Sequence, residues 1–227
     1  MNKNDRYSRQ RDLVPADKLV ACRPTVIGLG AVGRQVAWQL AAMGVTWLQL
    51  VDAGRVKASN LATQGFLEDD LRKPKVEATA ELCRKINHGL EVHALVHRFR
   101  RDMEVGRVIF CCVDGSKARR QIWQAVQHRV DFFSDGRMAA EVLRVVTVAE
   151  PAGRWHYLST LLADQDDVAA PSTAKAAIYA ANVAAGLMLS QFAKWLRRLP
   201  VDFDCQLDVA TDEMTVGQPV AIARQGA

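Results

Sequence analysis

The stretch from Val26 to Asp52 limits what this chain can fold into more than any other. Gly28, Gly30 and Gly33 have the spacing G-x-G-x-x-G directly after a short apolar run. Such a turn needs glycine because the backbone folds tightly and a phosphate must approach it closely. A helical pattern and a second apolar run follow, and Asp52 ends that run about 20 residues past the glycines, where a carboxylate commonly binds a ribose. The pattern predicts a strand–turn–helix–strand unit that binds a nucleotide.

The glycine turn alone does not identify the nucleotide. One alternative is a turn that only lets helix and strand pack closely. NAD is the usual ligand of the pattern, but an NAD-dependent oxidoreductase needs a residue for proton transfer, and no histidine convincingly follows a predicted strand. The five histidines are His88, His93, His97, His128 and His156. The choice between NAD and ATP therefore depends on the charged residues near the turn.

Composition narrows the classes of function. The chain of 227 residues has a net charge of +5, which suits an anionic ligand or an acidic protein partner. It has no arginine-rich block, so we expect no nucleic-acid partner. None of the five cysteines belongs to a C-x-x-C pair, so we predict no zinc. Segment 174–196 is rich in alanine and places its large residues mostly on one side, which predicts a buried helix and no membrane partner.

The N-terminal segment RYSRQ, residues 6–10, is an unusual charged cluster. It is either a solvated end of the chain or an arm whose arginines reach an anion. The polar residues 1–12 lack the apolar core of a signal peptide, so we expect a cytoplasmic protein.

Periodicity along the first part of the chain predicts a parallel sheet. Five segments are predicted strands, of which 91–96 alternates between polar and apolar residues: 24–29, 46–51, 91–96, 107–113 and 131–134. Helices are predicted behind the glycine turn, from Lys75 onwards, and from a capping Ser116 to about residue 129. Segment 53–78 has few periodic signals before Lys75, and a loop of this length is usually functional.

The pattern changes in the second part of the chain. We predict two strands around a turn at 151–153, then a long helix over about 173–198, then a hairpin; the four strands are 141–149, 154–161, 203–210 and 213–216. The fold class is therefore α/β: a Rossmann-like, mostly parallel sheet with helices on both faces, continued by an antiparallel β/α part. One domain over 1–227 would comprise three parts: an arm (1–22), a nucleotide-binding half (23–135) and a mixed back half for partner docking and a crossover (136–227).

Several charged and polar residues of the sequence are suited to bind a triphosphate and a metal. Asp114 lies at the end of a buried strand run, and its carboxylate could hold Mg²⁺. Lys75 and Arg9 could bind phosphates, while Asn60 and Gln64 offer neutral hydrogen bonds. This set favours ATP with Mg²⁺ over NAD.

Five motifs occur in a fixed order: RYSRQ, GLGAVG, VDAGRV-x-x-SNL-x-x-Q, LRKPKVEA and VDGSKARR. Over about residues 6–150 the chain resembles the ThiF/MoeB family, the adenylating fold of ubiquitin-activating enzymes. The resemblance implies that the glycine loop binds Mg-ATP and that the enzyme adenylates the C-terminal glycine of a ubiquitin-like protein. Many members then form a thioester on a cysteine, and such enzymes are two-fold dimers.

The resemblance also implies roles for individual residues. Asp52 would bind the ATP ribose, and Asp114 would hold the magnesium. Three residues would lie by the phosphates: Asn60, Gln64 and Lys75. Arg9 would reach the phosphates of the neighbouring subunit's ATP.

The sequence departs from the family pattern at several positions. Thr63 stands where members usually carry an arginine, so one phosphate contact is missing or comes from Arg55 or Arg72. The usual Asp-Asn pair is Asp114-Gly115 here, and the paired C-x-x-C zinc motif is absent.

Ser172 stands where thioester-forming members carry their cysteine, before the predicted long helix. It is either a helix cap or the position of the catalytic nucleophile, native or as a replacement for cysteine. Cys83 and Cys205 are alternative nucleophiles, but both lie in predicted regular structure and are expected to be buried.

We therefore predict ATP-dependent adenylation of a ubiquitin-like protein, followed in the native enzyme by thioester formation and transfer to a conjugating enzyme. A sulfur-carrier adenylyltransferase without a thioester is the alternative within the fold. Two further alternatives are an NAD-dependent oxidoreductase and a non-catalytic scaffold that has lost part of its site, as Thr63 would suggest.

Overall fold

A computed structural model describes residues 6–163 and 176–217. The strands in these residues are β1 (Pro24–Ile27), β2 (Trp47–Val51), β3 (Glu91–Leu95), β4 (Val108–Cys111), β5 (Phe132–Ala139), β6 (Val142–Val148), β7 (Asp204–Asp208) and β8 (Glu213–Gly217). The α-helices are α1 (Ala16–Ala21), α2 (Ala31–Met43), α3 (Ala58–Gln64), α4 (Lys75–Ile86), α5 (Ser116–Val126), α6 (Pro151–Ala163) and α7 (Ile178–Leu196). Two short 3-10 turns occur at Ser8–Gln10 and Glu68–Asp70.

The strands form one eight-stranded sheet in the order β3-β2-β1-β4-β5-β6-β7-β8. Strands β1 to β5 pair in parallel, and β5 to β8 pair antiparallel. The strand order reverses at β1, which pairs with β2 on one side and with β4 on the other. In open sheets of this kind, ligands bind beyond the carboxyl ends of the strands at such a reversal. The predicted fold class is confirmed.

Helices cover both faces of the sheet, and the central strands β1, β2 and β4 are therefore buried on both sides. Helices α2, α4 and α7 bury an apolar stripe on one face, with Leu40 and Phe192 fully buried. Helices α5 and α6 cover the other face through Trp123 and Tyr157, whose ring centroids are 4.8 Å apart. Helices therefore lie on both sides of the point where the strand order reverses.

The largest difference from the sequence prediction lies at residues 151–161, which form helix α6 rather than a turn and a strand. Pro151 occupies the first helical position, where its missing N–H costs no hydrogen bond. Tyr157 and Leu161 are four residues apart and both are buried, whereas Trp155 is exposed. Aromatic residues and threonine suggested a strand, but packing against the sheet outweighs that preference.

Smaller differences concern element ends. Segment 53–78 contains the short helix α3 and a 3-10 turn rather than one long loop. The long helix begins at Ile178, later than predicted, and β5 extends to Ala139 because it pairs along its length with β6. Ser116 is the first helical residue of α5 and not its cap, which is Gly115. The hairpin of β7 and β8 and the start of α4 at Lys75 are confirmed.

Candidate nucleotide-binding site

The glycine loop connects β1 to α2, and its three glycines are required for different reasons. Gly28 has φ +89°, and a Cβ there would lie 2.5 Å from the carbonyl oxygen of Cys112. A Cβ on Gly33 would overlap the carbonyl oxygen of Gly28. A Cβ on Gly30 would meet nothing within 4 Å. Two glycines therefore serve close packing of the backbone, and Gly30 borders open space.

That open space lies at the start of α2. Gly30 is the N-cap of the helix, and no side chain caps its first N–H groups. Unpaired N–H groups at a helix N-terminus attract anions because the helix dipole is positive there. The loop can thus accept a phosphate group beside Gly30.

Asp52 follows β2 and is bonded directly to the glycine loop. Its Oδ2 accepts the backbone N–H of Leu29 at 2.7 Å, and its Oδ1 accepts the backbone N–H of Gly54 at 2.6 Å. These two bonds fix the direction of the carboxylate. The lone pairs that remain can accept ribose hydroxyl groups, as predicted for this residue.

Lys75 reaches the same place from α4. Its backbone N–H donates to the carbonyl of Gly54 at 2.9 Å. A Cβ on Gly54 would lie 2.9 Å from Asp52 Oδ1 and 3.5 Å from Lys75 Cε, so the lysine side chain runs beside the carboxylate. Within residues 6–163 and 176–217, no hydrogen bond or ion pair holds the ammonium group, which leaves its charge for an anion.

Asp114 comes directly after the segment that borders the glycine loop. The Cys112 N–H donates to the carbonyl of Ile27 at 2.8 Å, and the Cys112 carbonyl lies against Gly28. Asp114 itself is exposed and precedes Gly115, the N-cap of α5. The structure therefore brings the glycine loop, Asp52, Lys75 and the strand that leads to Asp114 to one edge of the sheet.

Asp114 is the residue at this edge that we consider for Mg²⁺. Among the described residues, no group of three or more His, Cys, Asp or Glu side chains could hold a metal. One exposed carboxylate, Asp114, suits Mg²⁺, which takes its other ligands from water and nucleotide phosphates.

Asn60 and Gln64 lie on α3, which packs against α2. Asn60 Oδ1 accepts the backbone N–H of Lys57 at 3.0 Å and so closes the first turn of the helix. Gln35 on α2 donates to the carbonyl of Gln64 at 3.0 Å. The Gln64 Oε1 is buried and has no partner in the part of the chain that the structure describes. Their contact with phosphates remains a prediction.

Of Thr63 and the two arginines considered in place of the missing one, Thr63 and Arg55 have side chains bonded close by. Thr63 donates its hydroxyl to the carbonyl of Ser59 at 3.0 Å, within its own helix. The guanidinium of Arg55 donates to the carbonyl of Arg72 at 2.9 Å. Arg72 has φ +69° and an exposed side chain.

Arg9 does not lie at the glycine loop of its own chain. The arm is attached at the far end of α2, where Gln10 donates to the carbonyl of Met43 at 2.6 Å and Tyr7 lies against Gly44. Arg6 donates to the carbonyl of Ile86 at the end of α4. The 13 residues of α2 span about 20 Å between the arm and the glycine loop. Contact of Arg9 with a nucleotide would thus require a second copy of the chain.

Ser172, the predicted position of the catalytic nucleophile, lies outside the described residues. The helix expected to begin beside it begins at Ile178, with Ala177 as its N-cap.

All five cysteines lie within the described residues, and all are free thiols. Burial raises the pKa of Cys22 and of Cys205 to about 11, and that of Cys83 to about 12. Burial also raises the pKa values of Cys111 and Cys112. A reactive cysteine needs a lowered pKa and access to solvent, so none of the five is prepared for nucleophilic attack.

Sequence reasoning missed Arg34, which holds α3 in place. It is 1% exposed on α2, donates to the carbonyl of Gly65 at 3.1 Å and lies 3.7 Å from Asp70. Its guanidinium stacks 4.0 Å from the ring centroid of Phe66. Burial lowers the pKa of Arg34, against the opposing effect of Asp70. An arginine directly after Gly33, on the buried side of the helix, was the available signal.

No helix in the described ranges is long and apolar enough to cross a membrane.

The chain matches known proteins over most of its length. The model of the ThiF family matches residues 7–212. The Escherichia coli sulfur carrier protein ThiS adenylyltransferase is 33% identical over 135 residues, which are 54% of this chain and 54% of that protein. The Haemophilus influenzae molybdopterin-synthase adenylyltransferase is 28% identical over 158 residues, 64% of this chain and 65% of that protein. The chain therefore spans between about half and two thirds of these relatives.

A solved structure agrees with the fold. The crystal structure of E. coli MccB with ATP superposes with a TM-score of 0.76 at 17% identity, over 96% of this chain and 72% of that chain. The match to the family model over residues 7–212 covers most of the chain. The chain belongs to the ThiF family.

Proposed function

We propose that this chain uses ATP to adenylate the C-terminal glycine of a ubiquitin-like protein. The observation that carries the proposal is the bond of Asp52 to the glycine loop, beside the side chain of Lys75. This arrangement offers a ribose acceptor, a helix N-terminus and a lysine around one open space. The name of the E. coli relative, a ThiS adenylyltransferase, supports the reaction class.

The reaction joins the substrate carboxylate to the α-phosphorus of ATP. A carboxylate oxygen of the terminal glycine attacks the α-phosphorus, the bond to the bridging oxygen breaks, and pyrophosphate leaves with the electron pair. No general base is needed because the nucleophile is already deprotonated at neutral pH. Lys75 and the N-terminus of α2 would stabilise the negative charge that builds on the phosphates. Asp114 would hold Mg²⁺, which supplies further positive charge when bound.

We propose that a nucleophile outside this chain then reacts with the acyl-adenylate. The five thiols, four of them buried and Cys22 half-buried, support such an outcome, since none has the lowered pKa of a reactive cysteine. A sulfur-carrier adenylyltransferase without an enzyme thioester fits this observation. Thioester formation at position 172, with transfer to a conjugating enzyme, is a separate hypothesis. It requires that Ser172→Cys gain an ATP-dependent, thiol-sensitive adduct.

The position of Arg9 supports a homodimer as the functional unit. Arg9 is exposed on an arm that lies at the opposite end of α2 from the glycine loop. In a two-fold dimer, Arg9 of one copy would reach the phosphates bound by the other. Loss of adenylation in Arg9→Ala, restored by mixing with an Asp114→Ala chain, would support this arrangement.

Pyrophosphate exchange tests the proposed reaction. The probe is a panel of ubiquitin-like proteins that end in glycine, ThiS of E. coli among them, each paired with a form that lacks the terminal glycine. We expect exchange between ATP and labelled pyrophosphate with at least one intact protein and none with its shortened form. Equal exchange with both forms, or none with any protein although Mg-ATP binds, would contradict the proposal.

A further inference from the structure

Asp135 is a fully buried carboxylate that joins three elements on the α5–α6 face of the sheet. It lies on β5, and its side chain is 0% exposed. Arg119 on α5 donates Nε–H to Oδ1 at 3.0 Å, and Arg137 on β5 donates Nε–H to Oδ2 at 2.9 Å. Tyr157 on α6 donates its hydroxyl to Oδ2 at 3.1 Å. A buried charge is stable only when it is paired in this way.

Asp135 favours the charged form of Arg119. Burial acts to lower the pKa of Arg119, but the charge of Asp135 outweighs it, and the pKa is raised. Burial and the same carboxylate raise the pKa of Tyr157. The Arg119–Asp135 pair therefore connects α5 to β5 through two buried side chains.

The start of α5 has no side-chain cap, and bonds from two arginine side chains to neighbouring elements hold its first turn. The N-cap is Gly115, with φ +83°, and it has no side chain to accept the first N–H groups. Arg119 lies one turn later, and its backbone N–H donates to the Gly115 carbonyl at 3.4 Å. Arg120 donates to the carbonyl of Leu161 on α6 at 3.0 Å. Two consecutive arginines thus fix the first turn to β5 and to α6.

Asp114 lies in a short segment between two fixed points. On one side, Cys112 is bonded to Ile27 and packed against Gly28 of the glycine loop. On the other side, the first turn of α5 is held through Arg119. Only residues 113–115 separate these points, and Gly115 gives this segment conformational freedom. The direction of the Asp114 carboxylate therefore depends on where α5 begins.

We propose that Arg119, through its ion pair with Asp135, is a positioning residue that orients Asp114 toward the Mg²⁺ of the bound nucleotide. This inference rests on the proposed function. Residues that orient a metal ligand commonly change metal affinity about 10–100-fold when they are replaced. Arg119 would thus act on the metal-dependent part of ATP binding and not on the glycine loop.

Calorimetric titration with ATP, in excess Mg²⁺ and in EDTA, separates the metal-dependent part of ATP binding from the part that depends on the glycine loop. The variants are Arg119→Met, Arg119→Lys and, as a matched control, Tyr157→Phe, which removes a hydrogen bond to Asp135 but leaves the ion pair. We expect Arg119→Met to weaken ATP binding about tenfold with Mg²⁺ and less than about twofold in EDTA. Arg119→Lys, which keeps the charge, should recover part of the loss, and Tyr157→Phe should match wild type within about twofold in both buffers.

Other results would overturn the inference. Wild-type affinity of Arg119→Met in Mg²⁺, or an equal loss in both buffers, would leave Arg119 a purely structural residue. If thermal melting shows that Arg119→Met is unfolded, Arg119→Lys decides the question, with an expected loss of about threefold in Mg²⁺ only. If wild type binds no ATP in either buffer, the proposed function fails first and this inference fails with it.

Discussion

The backbone N–H of Leu29 donates a hydrogen bond of 2.7 Å to Asp52 Oδ2, so the carboxylate that ends β2 is part of the glycine loop's own structure. The same carboxylate accepts the Gly54 N–H at 2.6 Å. Asp52 therefore shapes the loop before any nucleotide binds.

Replacement of Asp52 by asparagine should weaken both the loop and nucleotide binding. Asparagine offers one acceptor oxygen where the carboxylate offers two, so one backbone N–H loses its partner, at a cost of about 1–3 kcal/mol in the free energy of unfolding. We expect calorimetry to show a loss of at least about tenfold in ATP affinity. Chemical denaturation should show the decrease in the free energy of unfolding. Asp17→Asn, at an exposed position on α1, is the control and should change neither quantity. An Asp52→Asn variant that binds ATP like wild type would show that the carboxylate is not at the ribose.

Two glycines of the loop should respond differently to alanine. A Cβ on Gly33 overlaps the Gly28 carbonyl, so Gly33→Ala must displace the start of α2 and should lower the melting temperature clearly. A Cβ on Gly30 meets no protein atom within 4 Å, so Gly30→Ala should fold with wild-type stability. Its ATP affinity should nevertheless fall about tenfold, because the methyl group would occupy the space of a phosphate. Unchanged ATP affinity in a folded Gly30→Ala would place the phosphates elsewhere.

The ion pair of Asp204 with Arg144 should make stability depend on pH. Burial acts to raise the pKa of Asp204, but hydrogen bonds from Arg144 at 2.7 Å and His156 at 2.8 Å outweigh it, and the pKa is lowered below 3.8. A carboxyl group with a lowered pKa stabilises the fold above its ordinary pKa, and this contribution disappears as the pH falls through the folded-state value. Urea unfolding should show Asp204→Asn to be about 1–2 kcal/mol less stable than wild type at pH 7. The difference should shrink as the pH falls below 3.8. If the difference in the free energy of unfolding stays constant down to low pH, the charge of Asp204 does not contribute to stability. Packing of the side chain would then account for the difference.

The five thiols should react slowly with a water-soluble disulfide reagent at pH 8. Four of the cysteines are buried, and burial with the nearby Asp131 raises the pKa of the half-buried Cys22 to about 11. Cys22 should react first and the others only on unfolding, with Cys22→Ser as the variant that assigns the first phase. A fast phase that persists in Cys22→Ser would reveal a reactive thiol. It would then support the hypothesis that this chain forms a thioester on one of its own cysteines.

Much of the nucleotide-binding half was predictable because its signals are local. The spacing of Gly28, Gly30 and Gly33, the helix behind them and Asp52 all lie within one continuous stretch, and each can be read from its neighbours. The hairpin of β7 and β8 followed from the same kind of pattern.

The remaining features depend on partners that are distant in the sequence. Helix α6 was missed because Tyr157 and Leu161 become a buried stripe only against the sheet. The role of Asp135 depends on Arg119, 16 residues earlier, and on Tyr157. The segment that carries Arg9 is attached at the far end of α2, and this place of attachment could not be deduced from periodicity.

Calorimetric titration with Mg-ATP and, separately, with NAD tests the central claim most directly. It uses wild type, Asp114→Ala, and Asp17→Ala as a control for loss of a surface carboxylate. The account predicts that wild type and Asp17→Ala bind Mg-ATP equally, that Asp114→Ala binds it at least about tenfold more weakly, and that NAD produces no signal. Binding of NAD without binding of ATP would contradict the account and make the glycine loop that of an oxidoreductase.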